Sequence, residues 1–218
     1  MCRIFFCLTE KIVSGDVFMV YTAISAAFGY LIGSISFAVI ISKTVHGEDI
    51  RNSGSGNAGA TNAVRIFGFK TGIAVFVCDF LKGILSVGFA KLLVVMCNAP
   101  YEAMLFAGLF AQLGHILPLY HGFRGGKGVA TAVGAAFALM PLTAVILLIL
   151  FAVILFVTKY VAAASGVCSA VYPILAYFLS RENALENCIF AIACAMLILV
   201  KHIPNFVRMC GGTEGKIK

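Results

Sequence analysis

The stretch AVILLILFAVILFV, residues 144–157, is apolar at every position. Strands of a membrane β-barrel alternate apolar with polar residues, so this stretch instead predicts a helix surrounded by apolar groups on every side. The whole chain shares this character, because 61% of its 218 residues are hydrophobic and only 11% are charged. A helix needs about 20 apolar residues to cross a bilayer, and runs near that length recur along the sequence. We therefore predict an all-α polytopic membrane protein.

About seven transmembrane helices are predicted from these apolar runs. We place them at residues 18–42, 72–97, 101–119, 128–141, 142–158, 161–179 and 187–201. The fourth and fifth are short and are separated only by Met140 and Pro141, so six spans are the alternative if the two merge or one is re-entrant. The apolar patch near the amino terminus is too short for a span. Residues 1–17 are therefore predicted to be an N-terminal tail extension, and residues 18–218 a single transmembrane domain.

Lysine and arginine residues predict the orientation of these helices. With the amino terminus outside, the outer side contains only Arg3, Lys11 and Arg181, whereas eleven basic residues fall on the inner side. Cytoplasmic loops are enriched in Lys and Arg, so this asymmetry predicts an outside amino terminus and a cytoplasmic carboxyl terminus. It also explains the net charge of +7 without a nucleic-acid partner, because the chain has no basic stripe interleaved with aromatic residues.

Three polar segments, residues 44–71, 114–131 and 201–214, fall on the predicted cytoplasmic side. The first contains IRNSGSGNAGATNAVR (50–65), in which glycines and short polar side chains let backbone N–H groups form an anion-binding nest. Arg51 and Arg65 flank this nest, and a guanidinium matches two phosphate oxygens at once. The alternative is a flexible Gly/Ser linker. The nest would consist of Ser53, Gly54, Ser55, Gly56, Asn57, Gly59, Thr61 and Asn62.

The second polar segment contains GFRGGKGVAT (122–131). Its glycines have no side chains to cover the backbone, and Lys127 lies near the start of the next predicted helix. N-terminal N–H groups, the helix dipole and an ammonium all favour a bound anion there. The stretch is not a Walker A loop, because His121 and Gly128 stand where that motif needs glycine and serine or threonine. The alternative is an interfacial turn anchored by Arg124 and Lys127.

The third polar segment reads KHIPNFVRMCGGTEGK (201–216). His202, Asn205 and Arg208 recur at every third residue and would share one face of a helix, although Pro204 favours a turn at the start. Such a face is suited to binding hydroxyl groups or phosphate. The alternative is a basic stop after the last span.

The blocks GSGNAGATNAVR (54–65), GHILPLYHGFRGGKGVAT (114–131) and KHIPNFVRMCGGTEGK (201–216) resemble, in this order, the three signature blocks of the bacterial acyl-phosphate:glycerol-3-phosphate acyltransferases, the PlsY family. The resemblance implies transfer of a fatty acyl group from acyl phosphate to the 1-hydroxyl of sn-glycerol 3-phosphate. The products are lysophosphatidic acid and phosphate, in the first acylation step of phospholipid biosynthesis. The resemblance also implies no cofactor, no metal, and a multi-pass protein of the bacterial inner membrane whose active site faces the cytoplasm.

Roles for individual residues also follow from the resemblance. The catalytic residues would be Ser55, Arg65, His202 and Asn205. Acyl phosphate would be bound by Gly54, Gly56, Asn57, Gly59, Thr61, Gly125 and Gly126. Glycerol 3-phosphate would be bound by Arg65, Lys127, Ser165, His202 and Asn205, and Glu214 would be structural.

Several alternatives stay open from the sequence. The hydroxyl proton is accepted either by His202 or by the substrate's own phosphate, and we favour the phosphate, with His202 orienting the acceptor. A small phosphate transporter is the alternative function, whereas a non-catalytic scaffold leaves the glycine and asparagine clusters unexplained. The eight cysteines lack the spacing of a zinc site or redox pair. Asp79 and Lys82, three residues apart in a span, are expected to form an ion pair.

Overall fold

A computed structural model describes the backbone of residues 2–217 and the side chains of residues 15–217. Two short 3-10 turns, Ile50–Asn52 and Leu119–His121, lie between helices. The α-helices within this range are α1 Cys2–Gly33, α2 Phe37–His46, α3 Ala60–Phe67, α4 Phe69–Cys97, α5 Glu102–Ile116, α6 Val129–Leu139, α7 Pro141–Thr158, α8 Val161–Leu179 and α9 Ala184–Cys210. The predicted all-α polytopic fold class is confirmed.

The described residues contain six helical segments that are long and apolar enough to cross a membrane. These are Gly15–His46, Phe69–Cys97, Glu102–His121, Pro141–Thr158, Val161–Leu179 and Ala184–Cys210. The first combines α1 and α2, which are separated by a break at residues 34–36. The predicted span at 128–141 corresponds to α6, a shorter apolar helix of 11 residues.

The amino-terminal tail and the membrane orientation stay predictions. Helix α1 begins at Cys2 and contains most of residues 1–17, but the side chains of residues 1–14 lie outside the described part of the chain. The division at residue 17 is therefore untested.

Glycine residues let several helices approach closely. A Cβ atom on Gly29 would lie 2.2 Å from the carbonyl oxygen of Ala107, so α1 and α5 touch backbone to backbone. The same is true of α4 and α6, where a Cβ on Gly83 would lie 2.2 Å from the carbonyl oxygen of Thr131. Small residues at such contacts are typical of helices that associate in lipid. These contacts place the short helix α6 firmly against the spanning helix α4.

Apolar side chains divide between an inner core and an outer surface. The core joins α4, α8 and α9 through buried groups such as Val87, Tyr172 and Phe190. Phe156 and Phe178 lie on the outside and are each 76% exposed. In a bilayer such faces contact lipid rather than water.

Helix α9 continues through Pro204, although the sequence predicts a span that ends at residue 201 and a turn near this proline. A proline within a helix removes one backbone hydrogen bond and weakens the turn before it. The turns that follow are stabilised from outside the helix, because Asn205 and Arg208 both donate hydrogen bonds to Glu214 in the carboxyl-terminal tail. The third polar segment is therefore mostly helix.

Candidate active site

A cavity of about 470 Å³ lies where the three polar segments meet. One side comes from the first polar loop and α3, another from the second polar loop, and a third from the end of α9 and the tail after it. The polar lining includes Ser55, Asn57, Thr61, Asn62, Arg65, Lys127, Lys201, His202, Asn205, Arg208 and Glu214. The three polar segments, separated in sequence, thus form one site.

The side chain of Asn62 shapes the first polar loop. Its Oδ1 accepts a hydrogen bond from the backbone N–H of Ser55 at 2.9 Å, and its Nδ2 donates to the carbonyl oxygens of Ile50 and Ser53. Gly54 turns the chain with a φ of 62°, and a Cβ atom there would lie 2.5 Å from Asn62 Oδ1. Together the glycine and the asparagine place Ser55 on the cavity wall.

Helix α3 begins against the cavity. Its N-cap residue is Gly59, and Gly59, Ala60 and Thr61 all line the cavity. The first N–H groups of a helix have no acceptor within the helix, and the helix dipole adds positive potential, so this end favours an anion. Arg65 lies four residues after Thr61, on the same helical face, and also lines the cavity. Backbone donors and a guanidinium thus border the same space.

Lys127 supplies a positive charge from the second polar loop. Its Nζ atom donates to Oδ1 of Asn205 on α9. Burial lowers the pKa of the Lys127 ammonium to about 8, and the Glu214 carboxylate offsets this only partly, because Arg208 and Arg65 lower the pKa further. A phosphate group bound nearby would stabilise the ammonium form. The position therefore favours an anionic ligand.

Glu214 organises the cationic side of the cavity. Its carboxylate accepts hydrogen bonds from Asn205 Nδ2 and Arg208 Nε, each at 2.8 Å, and lies 3.6 Å from Arg65 Nη2. Burial alone would raise the pKa of the Glu214 carboxyl, but the hydrogen bonds from Arg208 and Asn205 outweigh burial, and the pKa lies below its ordinary value. One carboxylate thus fixes two guanidinium groups, and the local charge stays positive. Arg65 also donates to the carbonyl oxygen of Gly215 at 2.8 Å.

His202 is only 1% exposed, yet it lines the cavity. Its Nδ1 atom lies 2.8 Å from the carbonyl oxygen of Ile198, one turn earlier in α9. Because a carbonyl oxygen can only accept, Nδ1 has the proton, and in the neutral ring Nε2 has a lone pair. Nε2 can therefore accept a hydrogen bond from a hydroxyl group of a ligand.

Comparison with known proteins adds a decisive observation. A sequence profile for the family described as glycerol-3-phosphate acyltransferase matches residues 23–212. The chain belongs to this glycerol-3-phosphate acyltransferase family. Relatives with that name include one from Finegoldia magna, 41% identical over 204 residues, and one from Shouchella clausii, 41% identical over 193 residues. The first alignment covers 90% of this chain and 96% of the relative, and the second covers 87% and 93%.

Two solved structures resemble this member of the glycerol-3-phosphate acyltransferase family. Both are crystal structures of PlsY, an integral membrane glycerol 3-phosphate acyltransferase, in its glycerol 3-phosphate form and in its lysophosphatidic acid form. The first has a TM-score of 0.81 and 35% identity and covers 90% of this chain and 96% of PlsY. The second has a TM-score of 0.77 and 34% identity and covers 90% and 95%. The predicted family and the multi-pass membrane architecture are confirmed.

The cavity of this family member contains most of the site residues predicted from the sequence. Those that line it are Ser55, Asn57, Gly59, Thr61, Arg65, Lys127, His202, Asn205 and Glu214. Those outside its lining are Gly54, Gly56, Gly125, Gly126 and Ser165. Ser165 is 2% exposed, and its Oγ has no hydrogen-bond partner among the described residues. The roles assigned to individual residues stay predictions.

Gly125 and Gly126 have a packing role that does not involve a ligand. A Cβ atom on Gly125 would lie 2.1 Å from the carbonyl oxygen of His115, and one on Gly126 would lie 2.1 Å from His115 Nε2. The N–H group of Gly126 donates to that same carbonyl oxygen at 3.1 Å. The glycine pair thus lets the second polar loop pack directly on the end of α5.

Arg51, interpreted from the sequence as a flanking phosphate ligand, is paired within the protein instead. Its Nε and Nη2 donate to the Asp49 carboxylate at 3.0 and 2.7 Å, and its Nη1 donates to the carbonyl oxygen of His121 at 2.7 Å. The hydrogen bond from Arg51 holds the pKa of Asp49 well below its usual range. That interpretation was wrong because the guanidinium connects the first two polar loops. An acidic residue two positions earlier was the overlooked signal.

Two groups of lining residues were not predicted. Asp79 and His115 line the cavity from α4 and α5. An apolar wall is formed by Phe69, Ile73, Phe76, Phe151 and Leu155. The spacing of four and three residues along α4 places the first three of these on one helical face, which was a usable signal.

Proposed function

We propose that this protein transfers a fatty acyl group from acyl phosphate to the 1-hydroxyl group of sn-glycerol 3-phosphate, giving lysophosphatidic acid and inorganic phosphate. One observation supports this proposal most strongly: a cationic wall and an apolar wall border the same cavity. The PlsY structures, described by their glycerol 3-phosphate and lysophosphatidic acid forms, are consistent with the same acceptor and product.

The cationic wall suits a reaction between two phosphate-bearing anions. Their mutual repulsion must be offset before the reacting atoms can meet. Arg65, Lys127 and Arg208 line the cavity. Glu214 contacts both arginines directly and Lys127 only through Asn205. Arginine can bind two phosphate oxygens at once, and the lysine adds a mobile point charge. The cavity therefore offsets part of the negative charge of the two reactants.

The apolar wall suits the fatty acyl chain. Phe76 on α4 and Phe151 and Leu155 on α7 line the cavity beside the polar groups. The outer faces of the same helices are apolar and contact lipid, so an acyl chain can remain in apolar surroundings while its phosphate end reaches the cationic wall. A soluble small anion needs no such wall, which argues against the phosphate transporter.

The proposed chemistry is a direct displacement. The 1-hydroxyl oxygen attacks the acyl carbonyl carbon, a C–O bond forms, and the bond from that carbon to the phosphate oxygen breaks, releasing inorganic phosphate. Holding the two reactants in line is worth roughly 7 to 11 kcal/mol in favourable cases. N–H groups of the first polar loop and α3 would stabilise the developing oxyanion, and each such donor contributes roughly 2.7 to 4 kcal/mol in known examples. No covalent enzyme intermediate is needed.

His202 has the role of orienting the acceptor in this proposal. Its Nδ1–H donates to Ile198, so Nε2 accepts a hydrogen bond from the 2-hydroxyl group of glycerol 3-phosphate, which leaves the proton of the attacking 1-hydroxyl group free. The proton then passes to the substrate's own phosphate. Ser55 and Asn205, which also line the cavity, contact the donor and the acceptor. Neither metal nor cofactor takes part.

We place the protein in the bacterial inner membrane with its active site facing the cytoplasm. The three polar segments that line the cavity are also those on the Lys- and Arg-rich side of the predicted topology. In this orientation glycerol 3-phosphate reaches the cavity from the cytoplasm while the acyl chain comes from the lipid.

The test is an assay of the purified protein with palmitoyl phosphate and glycerol 3-phosphate. We expect phosphate release that depends on the acceptor, with matching lysophosphatidic acid, and no product when palmitoyl-CoA replaces the donor. Arg65→Ala should abolish the reaction, whereas Arg181→Ala, which removes an exposed arginine outside the cavity, should not. Phosphate uptake into sealed vesicles without acyl transfer would instead support the transporter and contradict the proposal.

A further inference from the structure

Three ionisable side chains form a cluster inside the helix bundle, next to the cavity. Lys82 Nζ on α4 lies 2.9 Å from Asp79 Oδ1 on the same helix and 2.9 Å from His115 Nδ1 on α5. Asp79 is 2% exposed and Lys82 is 1% exposed. The expected ion pair is confirmed, and the histidine is an unexpected third member. Charged groups buried in membrane helices are costly, and this favours a functional reason for their presence.

Lys82 connects the cluster by hydrogen bonds to the break between α1 and α2. Lys82 Nζ donates to the carbonyl oxygens of Gly33 and Ile35, each at 3.0 Å. These carbonyls lie where the helical ladder is interrupted, so acceptors that would otherwise lack partners are satisfied by the ammonium. One side chain therefore connects α4, α5 and the end of α1.

The cluster is also in contact with the second polar loop. His115 and Asp79 line the cavity. The loop packs on His115, because a Cβ atom on Gly126 would lie 2.1 Å from its Nε2. The next residue in the chain is Lys127, whose Nζ bonds to Asn205 across the cavity. A shift of the imidazole would therefore displace Lys127.

Lys82 also determines the form of the imidazole. An ammonium has donors and no acceptor, so the contact at 2.9 Å requires His115 Nδ1 to be the acceptor. In the neutral ring the proton then lies on Nε2, the nitrogen beside Gly126. Asp79 Oδ1 lies farther from the same nitrogen, at 3.5 Å, so the closer contact with Lys82 sets the tautomer of His115.

We propose that Asp79, Lys82 and His115 form a positioning unit for the acyl transfer, in which Lys82 fixes His115 and His115 fixes the second polar loop, so that Lys127 is held in place to bind the phosphate of the acceptor. This inference rests on the proposed function. None of the three residues needs to touch the reacting atoms. The cluster acts through Gly126 and Lys127 alone.

The experiment compares Lys82→Met, the double variant Asp79→Asn/Lys82→Met and Tyr101→Phe in detergent, with thermal unfolding and full kinetics for each. Lys82→Met leaves the buried Asp79 carboxylate without its ammonium partner, with only His115 Nδ1 near it at 3.5 Å, and the double variant removes that charge. The control removes the hydroxyl group that donates to Asn187 Oδ1 at 2.7 Å, at the opposite end of α5. If a variant only reduces the fraction of folded protein, the apparent kcat falls and KM is unchanged. If it displaces Lys127, KM for glycerol 3-phosphate rises.

We expect Lys82→Met to lower Tm and to raise KM for glycerol 3-phosphate roughly tenfold, a size typical of residues that orient a ligand-binding group. In the double variant Tm should recover while KM stays high. The control should keep the wild-type KM. Recovery of KM together with Tm in the double variant would show that the cluster only balances charge, and would overturn the inference.

A second measurement does not depend on turnover. Nitrogen-15 NMR of the histidine-labelled protein, with the signals of His115 assigned by its substitution, should show Nε2 protonated and Nδ1 unprotonated. A protonated Nδ1 would overturn the inference even in an active enzyme. Failure of the wild-type protein to acylate glycerol 3-phosphate would instead remove the proposed function, and the positioning role with it, so the two failures are distinguishable.

Discussion

The Asn205 amide is oriented by the Glu214 carboxylate, which accepts a hydrogen bond from Asn205 Nδ2 at 2.8 Å. Because a carboxylate only accepts, the amide must turn its nitrogen toward Glu214 and its oxygen toward Lys127. A residue in the tail thus sets the position of a lysine in the second polar loop through a side chain of α9. These contacts are consistent with the predicted structural role of Glu214, which needs no contact with a substrate.

Glu214→Gln should weaken both the fold and the binding of the acceptor. Hydrogen bonds to a charged group contribute about 1.5 to 3 kcal/mol to stability. Arg208 is partly exposed, so solvent weakens its interaction with Glu214. We therefore expect the unfolding free energy to fall by about 1 to 2 kcal/mol. KM for glycerol 3-phosphate should rise roughly tenfold, because Arg65 and Asn205 lose their fixed orientation. Thermal unfolding and steady-state kinetics measure both effects.

The effect of Glu214→Gln on thermal stability should depend on pH. The lowered pKa of Glu214 means that its contribution to stability is present above the unfolded pKa and is lost as pH falls through the folded pKa. The difference in Tm between wild type and Glu214→Gln should therefore shrink below about pH 4, the region of the ordinary glutamate pKa. A difference that stays constant over this range would show that the charge of Glu214 is unimportant.

Deprotonation of Lys127 should make the enzyme less active at basic pH. With a pKa of about 8, the free enzyme has the ammonium below this pH and loses it as pH rises through it. KM for glycerol 3-phosphate should therefore increase above about pH 8. In Lys127→Arg the guanidinium stays charged, so the activity should be lower at every pH but the basic limit should disappear. An unchanged limit in this variant would assign it to another group.

His202→Gln distinguishes the two candidates for proton acceptor. If the substrate's phosphate accepts the proton, kcat falls but the acidic limb of the pH profile remains, because that limb belongs to a phosphate with a pKa near 6. A loss confined to kcat together with disappearance of the acidic limb would make His202 the base. His202→Asn is a useful companion, since its amide can still donate to Ile198 while the Nε2 position is empty.

Gly126→Ala should damage the protein far more than Gly88→Ala. The new Cβ atom would lie 2.1 Å from His115 Nε2 and 2.7 Å from the carbonyl oxygen of Ala58, and overpacking of this kind costs about 1 to 3 kcal/mol. At Gly88 nothing lies within 4 Å, and alanine favours the helix. The comparison uses Tm and activity. Equal behaviour of the two variants would show that the second polar loop does not pack tightly on α5.

The sequence predicted those features that depend on local chemistry. The apolar runs predicted the six spanning segments. The glycine-rich polar segments predicted that Arg65, Lys127 and His202 belong to the site. It could not predict the path of α9 through Pro204, because that helix end is stabilised by Glu214 in the tail beyond it. Such partners are set by tertiary contacts rather than by spacing.

The interpretations of two single residues, Arg51 and Asn62, failed for the same reason, because tertiary contacts determine their partners. Arg51 has the residue type of a phosphate ligand, but its guanidinium is used by Asp49 and by the carbonyl oxygen of His121, 70 positions later. Asn62 was predicted to be part of the anion-binding nest, but its amide makes three hydrogen bonds within its own loop. Which polar groups remain free for a substrate depends on long-range contacts, which one sequence does not give.

The most direct test of the proposed mechanism is an initial-rate study in which palmitoyl phosphate and glycerol 3-phosphate are both varied. If the two reactants occupy the one cavity together and react without a covalent enzyme intermediate, double-reciprocal plots will intersect, as for a ternary complex. Parallel lines, with exchange of labelled phosphate into palmitoyl phosphate in the absence of acceptor, would indicate an acyl-enzyme intermediate and contradict the account.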